Sequence, residues 1–183
     1  MSGETRGRKQ RLFYALWPDA AARKALVRLA EEIARDGQGR APRDVNLHLT
    51  VAFVGEVPVE SVEALSTIGA HAAGSVAPFR IVLERLGGTS YGVAWLAPAA
   101  AVEPLHALHL ELRSQLVAAG HALEQRMFRP HITLARDRIR SVQRGSVPSI
   151  GWTVEALSLV ASTPAPGGSD YRPVAEWRLG RSR

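Results

Sequence analysis

Two segments of the chain repeat one five-residue pattern, histidine-apolar-threonine-apolar-alanine, 83 positions apart. They are 48–52 (HLTVA) and 131–135 (HITLA). Strict alternation of polar and apolar side chains is typical of a β-strand with one buried face. In a strand, residues two positions apart share a face and lie about 6.6 Å apart. The repeat therefore predicts two strands, each of which presents a histidine and a threonine together and turns its apolar residues to the core.

Helix and strand patterns alternate along the 183 residues. Apolar residues three or four positions apart predict helices over 19–35, over 59–73 and from 105 to just before Gly120. Apolar or alternating runs predict strands over 11–17, 47–54, 78–86, 93–97, 131–136, 152–162 and 171–179. The length fits one globular unit, so we expect a single domain over 11–180 with basic tails at 1–10 and 181–183.

The composition limits the possible chemistry. Cysteine is absent, which excludes disulfides, thiolate metal sites and a cysteine nucleophile. The formal net charge of +6 favours a polyanionic partner such as nucleic acid or a nucleotide. No run of eighteen apolar residues occurs and no apolar segment follows the basic N-terminus, so neither a membrane span nor a secretory signal is predicted. We therefore expect a cytoplasmic protein. We also expect a monomer, because no segment resembles a partner helix or an exposed apolar edge.

The duplicated motif points to chemistry at phosphorus. Displacement at a phosphate needs one group that deprotonates the attacking oxygen and another that protonates the departing oxygen. Two imidazoles, each with an ordinary pKa of about 6.5, can take these two parts at neutral pH. Two threonine hydroxyls can donate hydrogen bonds to the phosphate oxygens on which negative charge grows. Two half-sites that face each other across a cleft would supply all four groups to one substrate.

Other candidate sites have simpler interpretations. His106 and His109 lie three positions apart on the third predicted helix, but no third ligand follows at a motif-like distance, so we interpret them as solvated surface histidines. His71 and His121 are single histidines beside glycines and are interpreted in the same way. The glycine-rich segment 87–92 (GGTSYG) is predicted to be a hairpin loop, because neither a Lys-Ser/Thr pair nor a helix start follows it. We therefore expect neither a metal ion nor a nucleotide cofactor.

Several further segments accompany the two motifs. They are RLFYAL at 11–16, Asn46-Leu47 before the first motif, Phe53-Val54-Gly55 after it, Arg129-Pro130 before the second motif and a closing strand at 171–179. Together with the motifs they resemble the 2H phosphoesterase superfamily, and more narrowly the bacterial and archaeal 2′-5′ RNA ligase family, now regarded as RNA 2′,3′-cyclic phosphodiesterases. The resemblance runs from about Arg11 to Leu179. It implies a bilobal α+β fold, in which two similar antiparallel-sheet lobes with outer helices surround a central cleft.

The resemblance also implies an activity and residue roles. The activity is hydrolysis of a terminal 2′,3′-cyclic phosphate of RNA to a 2′-phosphate, without metal or ATP, and ligation of a 5′-hydroxyl end is the same chemistry with an alcohol in place of water. Carried over to this chain, His48 is the proton donor to the departing 3′ oxygen and His131 the proton acceptor from water, while Thr50 and Thr133 bind the phosphate. Arg136 matches the basic residue that closes the second motif. Strict alternation turns Arg136 away from the cleft, so its contact with phosphate requires a bulge or a strand end.

Alternatives remain at this point. Phe13 lies on the strand face opposite Leu12 and Tyr14, where it could stack on a base of the substrate or could be part of the core. The same mechanism could act on a small cyclic phosphate of a nucleotide or an ADP-ribose derivative. A third alternative is a non-catalytic module that binds nucleotide or RNA, although a pure binder has no need of both an acid and a base.

Overall fold

The computed structural model describes residues 8–37, 39–89, 92–124, 126–137, 147–166 and 168–180. In these residues, strands and helices follow one another as β1 (Lys9–Leu16), α1 (Ala20–Gly37), β2 (Leu49–Pro58), α2 (Val62–Gly74), β3 (Phe79–Leu83), β4 (Arg85–Thr89), β5 (Val93–Ala97), α3 (Glu103–Ala118), β6 (Ile132–Ala135), β7 (Ile150–Val154), β8 (Ala156–Ala165) and β9 (Gly168–Arg178). Helices and antiparallel strands combine in one α+β fold, as expected.

A seven-stranded antiparallel sheet has the order β4-β5-β6-β2-β1-β8-β9, and β3 pairs with β7 in a separate two-stranded sheet. Within the large sheet, three strands (β4-β5-β6) lie on one side and four (β2-β1-β8-β9) on the other. The two groups are joined between β6 and β2, where the only residue pair in register among the described residues is Leu49 with Ile132. The two motif strands therefore form the junction between the two halves of the molecule.

The helices lie close to their predicted ranges, although α2 begins at Val62, after a 3₁₀ turn at Val59–Ser61, and α3 begins at Glu103. The carboxylate of Asp19 accepts a hydrogen bond from the amide of Ala22 at 2.8 Å and so caps the start of α1. Gly120, with a φ of 84°, follows α3 in the left-handed conformation that glycine adopts without strain. The leucine stripe of α3 is fully buried at Leu105, Leu108, Leu112 and Leu116. None of the described helices is long and apolar enough to cross a membrane.

Two predicted strands are wrong in one respect, because each is in fact a pair of strands in different sheets. The run 78–86 divides at Glu84 into β3 and β4, and the run 152–162 divides at Glu155 into β7 and β8. The Glu84 amide donates to the Ala97 carbonyl of the large sheet, and the Glu155 carbonyl accepts from the Leu179 amide. Alternation within a run reports which side chains are buried, but it carries no information about which neighbour the backbone pairs with.

The predicted N-terminal tail is also too long at its C-terminal end. Lys9 and Gln10 already belong to β1, where they are in register with Pro58 and Val57 of β2. The rest of the predicted tails, apart from Arg8, lies outside the described residues. The apolar partners of the motifs are buried as predicted, and their exposed fractions are 0% for Leu49, 1% for Val51 and 0% for both Ile132 and Leu134.

Candidate active site

The register at the junction of the two halves places the four motif side chains side by side. Leu49 of β2 is paired with Ile132 of β6 in antiparallel orientation, and no other pair joins these two strands among the described residues. His48 and Thr50 flank one member of this pair, and His131 and Thr133 flank the other. The two half-sites therefore meet where the two halves of the large sheet adjoin.

Each motif histidine makes the same kind of local hydrogen bond, to the backbone carbonyl two residues before it. Nδ1 of His48 lies 2.7 Å from the Asn46 carbonyl oxygen, and Nδ1 of His131 lies 2.7 Å from the Arg129 carbonyl oxygen. A carbonyl oxygen only accepts, so Nδ1 carries a proton in both rings. In the neutral form of each ring, Nε2 is therefore the unprotonated nitrogen. The duplicated sequence thus produces a duplicated tautomer, with Nε2 left as the atom that exchanges a proton with a ligand.

His48 lies within a group of aromatic rings. The ring centroids of Phe13 and Tyr171 are each 5.0 Å from that of His48, and the ring of Trp17 is 5.4 Å away. Burial among them lowers the pKa of His48 to about 4, and the positive charges of Arg136 and His131 add to this lowering, against the hydrogen bond to the Asn46 carbonyl, which raises the pKa. In the free protein His48 is therefore neutral at pH 7.

Phe13 itself does not offer a stacking surface. Its side chain is only 2% exposed, because its ring packs against His48, Phe53 and Tyr171. The expectation that Phe13 stacks on a base is corrected, and the alternative that it is a core residue agrees with this burial. Phe53, which is 56% exposed, and the half-buried Tyr171 have the more accessible rings of this group. The sequence analysis missed both as site residues, although Phe53 directly follows the first motif.

Arg136 lies on the same side of the sheet as the motif side chains. Thr133 is in register with Trp95 and Ala135 with Ala94, so Leu134 is an extra residue, a β-bulge in β6. The bulge reverses the alternation after Thr133 and turns Ala135 to the core. The guanidinium of Arg136 consequently lies 3.5 Å from the Thr133 hydroxyl. The predicted requirement for a bulge or a strand end is met.

The chain just beyond Arg136 is fixed by the connection after α1. The backbones of Arg40 and Arg136 exchange two hydrogen bonds, of 2.8 and 2.9 Å. The guanidinium of Arg40 also pairs with the carboxylate of Asp137 at 3.0 Å. Asp137 has a φ of 62°, in the left-handed region that aspartate tolerates better than most residues. These contacts hold the end of β6 in the conformation that directs Arg136.

His131 has its own aromatic neighbour. The ring of Trp95 lies 6.3 Å from the ring of His131, and the guanidinium of Arg85 covers the Trp95 ring at 5.2 Å. Gly87 makes this arrangement possible, since a β-carbon there would lie 2.2 Å from the Trp95 ring. The predicted hairpin is present as β4 and β5, but the predicted loop at 87–92 is too long, because Gly87 and Gly88 are paired within β4. Residues 90–91 lie outside the described residues.

The two histidines of α3 are half-buried, which corrects their interpretation as solvated. Nδ1 of His109 donates to the Val51 carbonyl oxygen at 2.7 Å. The ring of Phe128 stacks on His109 with a centroid distance of 4.0 Å, and it meets His106 edge-on at 5.5 Å. The partners are 58 and 19 positions away from His109, so helical periodicity could not reveal them. Among the described residues, no group of three or more metal-ligating side chains occurs.

The arrangement can hold one phosphate between two proton-exchanging groups. Thr50 and His131 line a cleft of about 980 Å³ that is bounded by β2, β5, α3 and the connection from α3 to β6. His48 and His131 supply two Nε2 atoms, and Thr50, Thr133 and Arg136 supply hydrogen-bond donors on the same face. An α+β fold whose two His-x-Thr strands lie side by side defines a two-histidine phosphoesterase.

Comparison with known proteins agrees with this class. The sequence model described as "2'-5' RNA ligase superfamily" matches residues 17–164, so the chain belongs to the 2′-5′ RNA ligase superfamily of 2H phosphoesterases. A protein of Escherichia coli K12 named RNA 2′,3′-cyclic phosphodiesterase is 34% identical over 175 residues, which cover 93% of this chain and 97% of the relative. A protein of the same name from Thermus thermophilus is 34% identical over 186 residues, covering 92% of this chain and 90% of the relative.

A solved structure shares the fold over nearly its whole length. The crystal structure of E. coli LigT complexed with 3′-AMP superposes with a TM-score of 0.84 at 32% identity, and the match covers 95% of this chain and all of that one.

Proposed function

We propose that this protein hydrolyses the 2′,3′-cyclic phosphate at the end of an RNA to a 2′-phosphate. One observation carries the proposal. Nδ1 of His48 and Nδ1 of His131 each donate to a backbone carbonyl, which leaves Nε2 of each ring as the proton-exchanging atom, and the two motifs lie on adjacent strands. The relatives named RNA 2′,3′-cyclic phosphodiesterase and the LigT complex with 3′-AMP support the choice of substrate.

The reaction is a displacement at phosphorus. Nε2 of His131 takes a proton from a water molecule as the water oxygen attacks the phosphorus. The bond from phosphorus to the 3′ oxygen breaks, and that oxygen receives the proton from Nε2 of His48. The products are a 2′-phosphate and a free 3′-hydroxyl. Proton exchange with solvent then returns His131 to its neutral form, and His48 gains a proton again when the next substrate binds.

The other polar groups stabilise the charge on the phosphate. The hydroxyls of Thr50 and Thr133 donate to non-bridging oxygens, and the guanidinium of Arg136 adds a positive charge beside Thr133. These donors are fixed on strands before the substrate arrives, so little reorganisation accompanies the reaction.

His48 must gain a proton before it can donate one, because burial lowers its pKa to about 4 in the free protein. A phosphate anion within hydrogen-bonding distance of Nε2 favours the protonated imidazole. The bound substrate thus raises the pKa of His48, and the donor becomes charged where the phosphate is present. Release of the product lowers the pKa again.

The proposal extends to the setting of the enzyme. The substrate is an RNA end, and the same site can join a 5′-hydroxyl end when an alcohol takes the place of water. Water at its ordinary concentration normally outcompetes that alcohol. The active unit is one bilobal domain that begins with β1 at Lys9, and it acts as a cytoplasmic monomer.

The test is a product assay. A decamer RNA ending in 2′,3′-cyclic phosphate is incubated with the protein in EDTA, and the products are compared with synthetic 2′-phosphate and 3′-phosphate standards. We expect the 2′-phosphate. The double variant His48→Ala/His131→Ala, purified in parallel, controls for contaminating nucleases. A 3′-phosphate product, or turnover of a cyclic mononucleotide without any turnover of the RNA, contradicts the proposal.

A further inference from the structure

The cleft extends well beyond Thr50 and His131, the motif side chains that line it. Its volume of about 980 Å³ lies at the upper end of the roughly 300–1,000 Å³ typical of pockets for one small molecule. Beyond Thr50 and His131, the lining includes Trp95 of β5, His106, His109 and Arg113 of α3, and Phe128 of the connection to β6. A terminal nucleotide at the motif leaves this second region free for another group of the same substrate.

The second region has a fixed shape. Among the described residues, β2 and β6 are in register only at Leu49 and Ile132. Beyond this pair, the Val51 carbonyl oxygen accepts a hydrogen bond from His109 of α3. α3 therefore closes the gap where the two halves of the sheet separate. The ring of Phe128 stacks flat on His109, and the two rings are inclined by only 4°. This stacking holds Phe128 in place as part of the cleft wall.

The charge of the cleft suits a polyanion. Among the described residues that line it, the charged side chains at neutral pH are one glutamate and the arginines Arg85, Arg113, Arg126 and Arg129. The glutamate, Glu124, pairs with the guanidinium of Arg126 at 3.3 Å, which leaves the other arginines in excess. Arg113 donates to the Glu124 carbonyl oxygen at 3.1 Å, and this bond holds its guanidinium at the cleft.

Aromatic rings accompany these charges. Trp95 lies on the β5 side of the cleft and Phe128 on the α3 side. Proteins that hold single-stranded nucleic acid combine a positive groove with aromatic side chains on which bases stack. A lining of arginines and aromatic rings can contact a second phosphate and a second base. A small cyclic phosphate or a single terminal nucleotide has neither.

We propose that Trp95, His106, His109, Arg113 and Phe128 form a subsite, the α3 subsite, for the nucleotide on the 5′ side of the cyclic phosphate. The proposal rests on the proposed function, whose reaction takes place at the motif histidines. In this subsite Arg113 neutralises the phosphodiester that links the last two nucleotides, and the Trp95 and Phe128 rings contact the second base. The ligand is a single RNA strand of at least two nucleotides.

The test measures binding separately from turnover. A fluorescent tetranucleotide with a terminal 2′-phosphate and a mononucleotide 2′-phosphate are titrated against wild type, Arg113→Gln and Phe128→Leu. Arg28→Gln is the matched control, since Arg28 is an arginine of α1 outside the cleft. We expect the tetranucleotide to bind wild type more tightly than the mononucleotide, and each subsite variant to reduce this gain about 5- to 10-fold.

The salt dependence gives a second readout. Each neutralised phosphate of a single strand adds about 0.7 to the slope of log affinity against log salt, so Arg113→Gln should lower the tetranucleotide slope by about that amount. Equal affinities of wild type for the two ligands overturn the subsite, as does an equal effect of Arg113→Gln and Arg28→Gln. If the length-dependent binding appears but no cyclic phosphate is hydrolysed, the subsite stands and the proposed function fails.

Discussion

Nε2 of His48 lies 3.1 Å from the hydroxyl oxygen of Thr50, two residues further along the same strand. Nδ1 of His48 already carries a proton for the Asn46 carbonyl, so in the neutral ring the Thr50 hydroxyl is the donor to Nε2. When Nε2 gains a proton, this hydroxyl no longer has an acceptor there. It is then free to donate to a phosphate oxygen. Protonation of the histidine and preparation of the threonine for phosphate binding are therefore coupled by one contact.

Replacing either motif histidine should greatly reduce turnover. We expect His48→Ala and His131→Ala each to lower kcat for a cyclic-phosphate RNA by about 10²- to 10⁴-fold, because a proton-transfer group is lost. The double variant should be little slower than the slower single variant, since the two groups act in one step. His71→Ala is the control, because that exposed side chain lies on α2, outside the cleft. Turnover near that of wild type in one single variant would remove that histidine from the mechanism.

The pH dependence of the reaction should show the low pKa of His48. We expect a bell-shaped profile of kcat/KM in which the limb that reports His48 lies near pH 4, the pKa of His48 in the free protein. The limb of kcat that reports His48 should lie at higher pH, because a bound phosphate anion stabilises the protonated ring that donates the proton. Titration of the His48 ring by NMR, with and without a nucleotide 2′-phosphate, measures both values. A pKa of His48 near the ordinary histidine value of about 6.5 in the free protein, with no change on binding, would contradict this account.

Folding stability should depend on pH for the same reason. The unfolded chain protonates His48 near pH 6.5, whereas the folded protein does so only near pH 4, so between these values the unfolded state binds more protons. The free energy of unfolding should fall by roughly 3 kcal/mol as the pH decreases through this window. Burial also lowers the pKa of His109, which acts in the same direction. Urea unfolding at about pH 7 and about pH 4.5 measures the loss, and the variant His48→Gln should show a smaller one. An unchanged loss in that variant would assign the effect to other groups.

The conformation of Asp137 should matter more than its charge. Its ion pair with Arg40 is exposed on both sides, and pairs of this kind contribute only about 0–1 kcal/mol. Its left-handed backbone would strain an alanine by about 1–2 kcal/mol. We therefore expect Asp137→Ala to lower the free energy of unfolding, and kcat/KM with it, whereas Asp137→Asn stays close to wild type. Asp36→Ala, which removes an exposed aspartate from the ordinary backbone of helix α1, is the control. Equal effects of the alanine and asparagine variants would show that the charge dominates.

Gly87 should tolerate no side chain while Trp95 keeps its place. A β-carbon at Gly87 would lie 2.2 Å from the Trp95 ring, so Gly87→Ala must displace that ring. We expect a loss of about 1–3 kcal/mol in the free energy of unfolding, as for other overpacked sites. Trp95→Leu in the Gly87→Ala background should recover part of this loss. A double-mutant cycle measures the coupling, and additive effects of the two substitutions would refute the contact.

The sequence by itself determined the local features of the site. The alternation in 48–52 and 131–135 predicted each histidine beside its threonine on one strand face and Leu49 and Ile132 in the core, and the structure confirms the burial of both apolar residues. The leucine stripe of α3 was likewise readable, because helix and strand periods depend only on neighbours along the chain. The duplication of the motif, rather than either copy, indicated the class of chemistry.

Only the tertiary structure decided which elements meet. The predicted strands are divided at Glu84 and Glu155 because the residues on either side of each position pair with different sheets. The direction of the Arg136 side chain depends on the β-bulge opposite Trp95. The burial of Phe13 and the bond from His109 to Val51 likewise involve groups distant in sequence. Periodicity reports whether a side chain is buried, but the partner of a backbone or a ring is chosen by the packing of the whole chain.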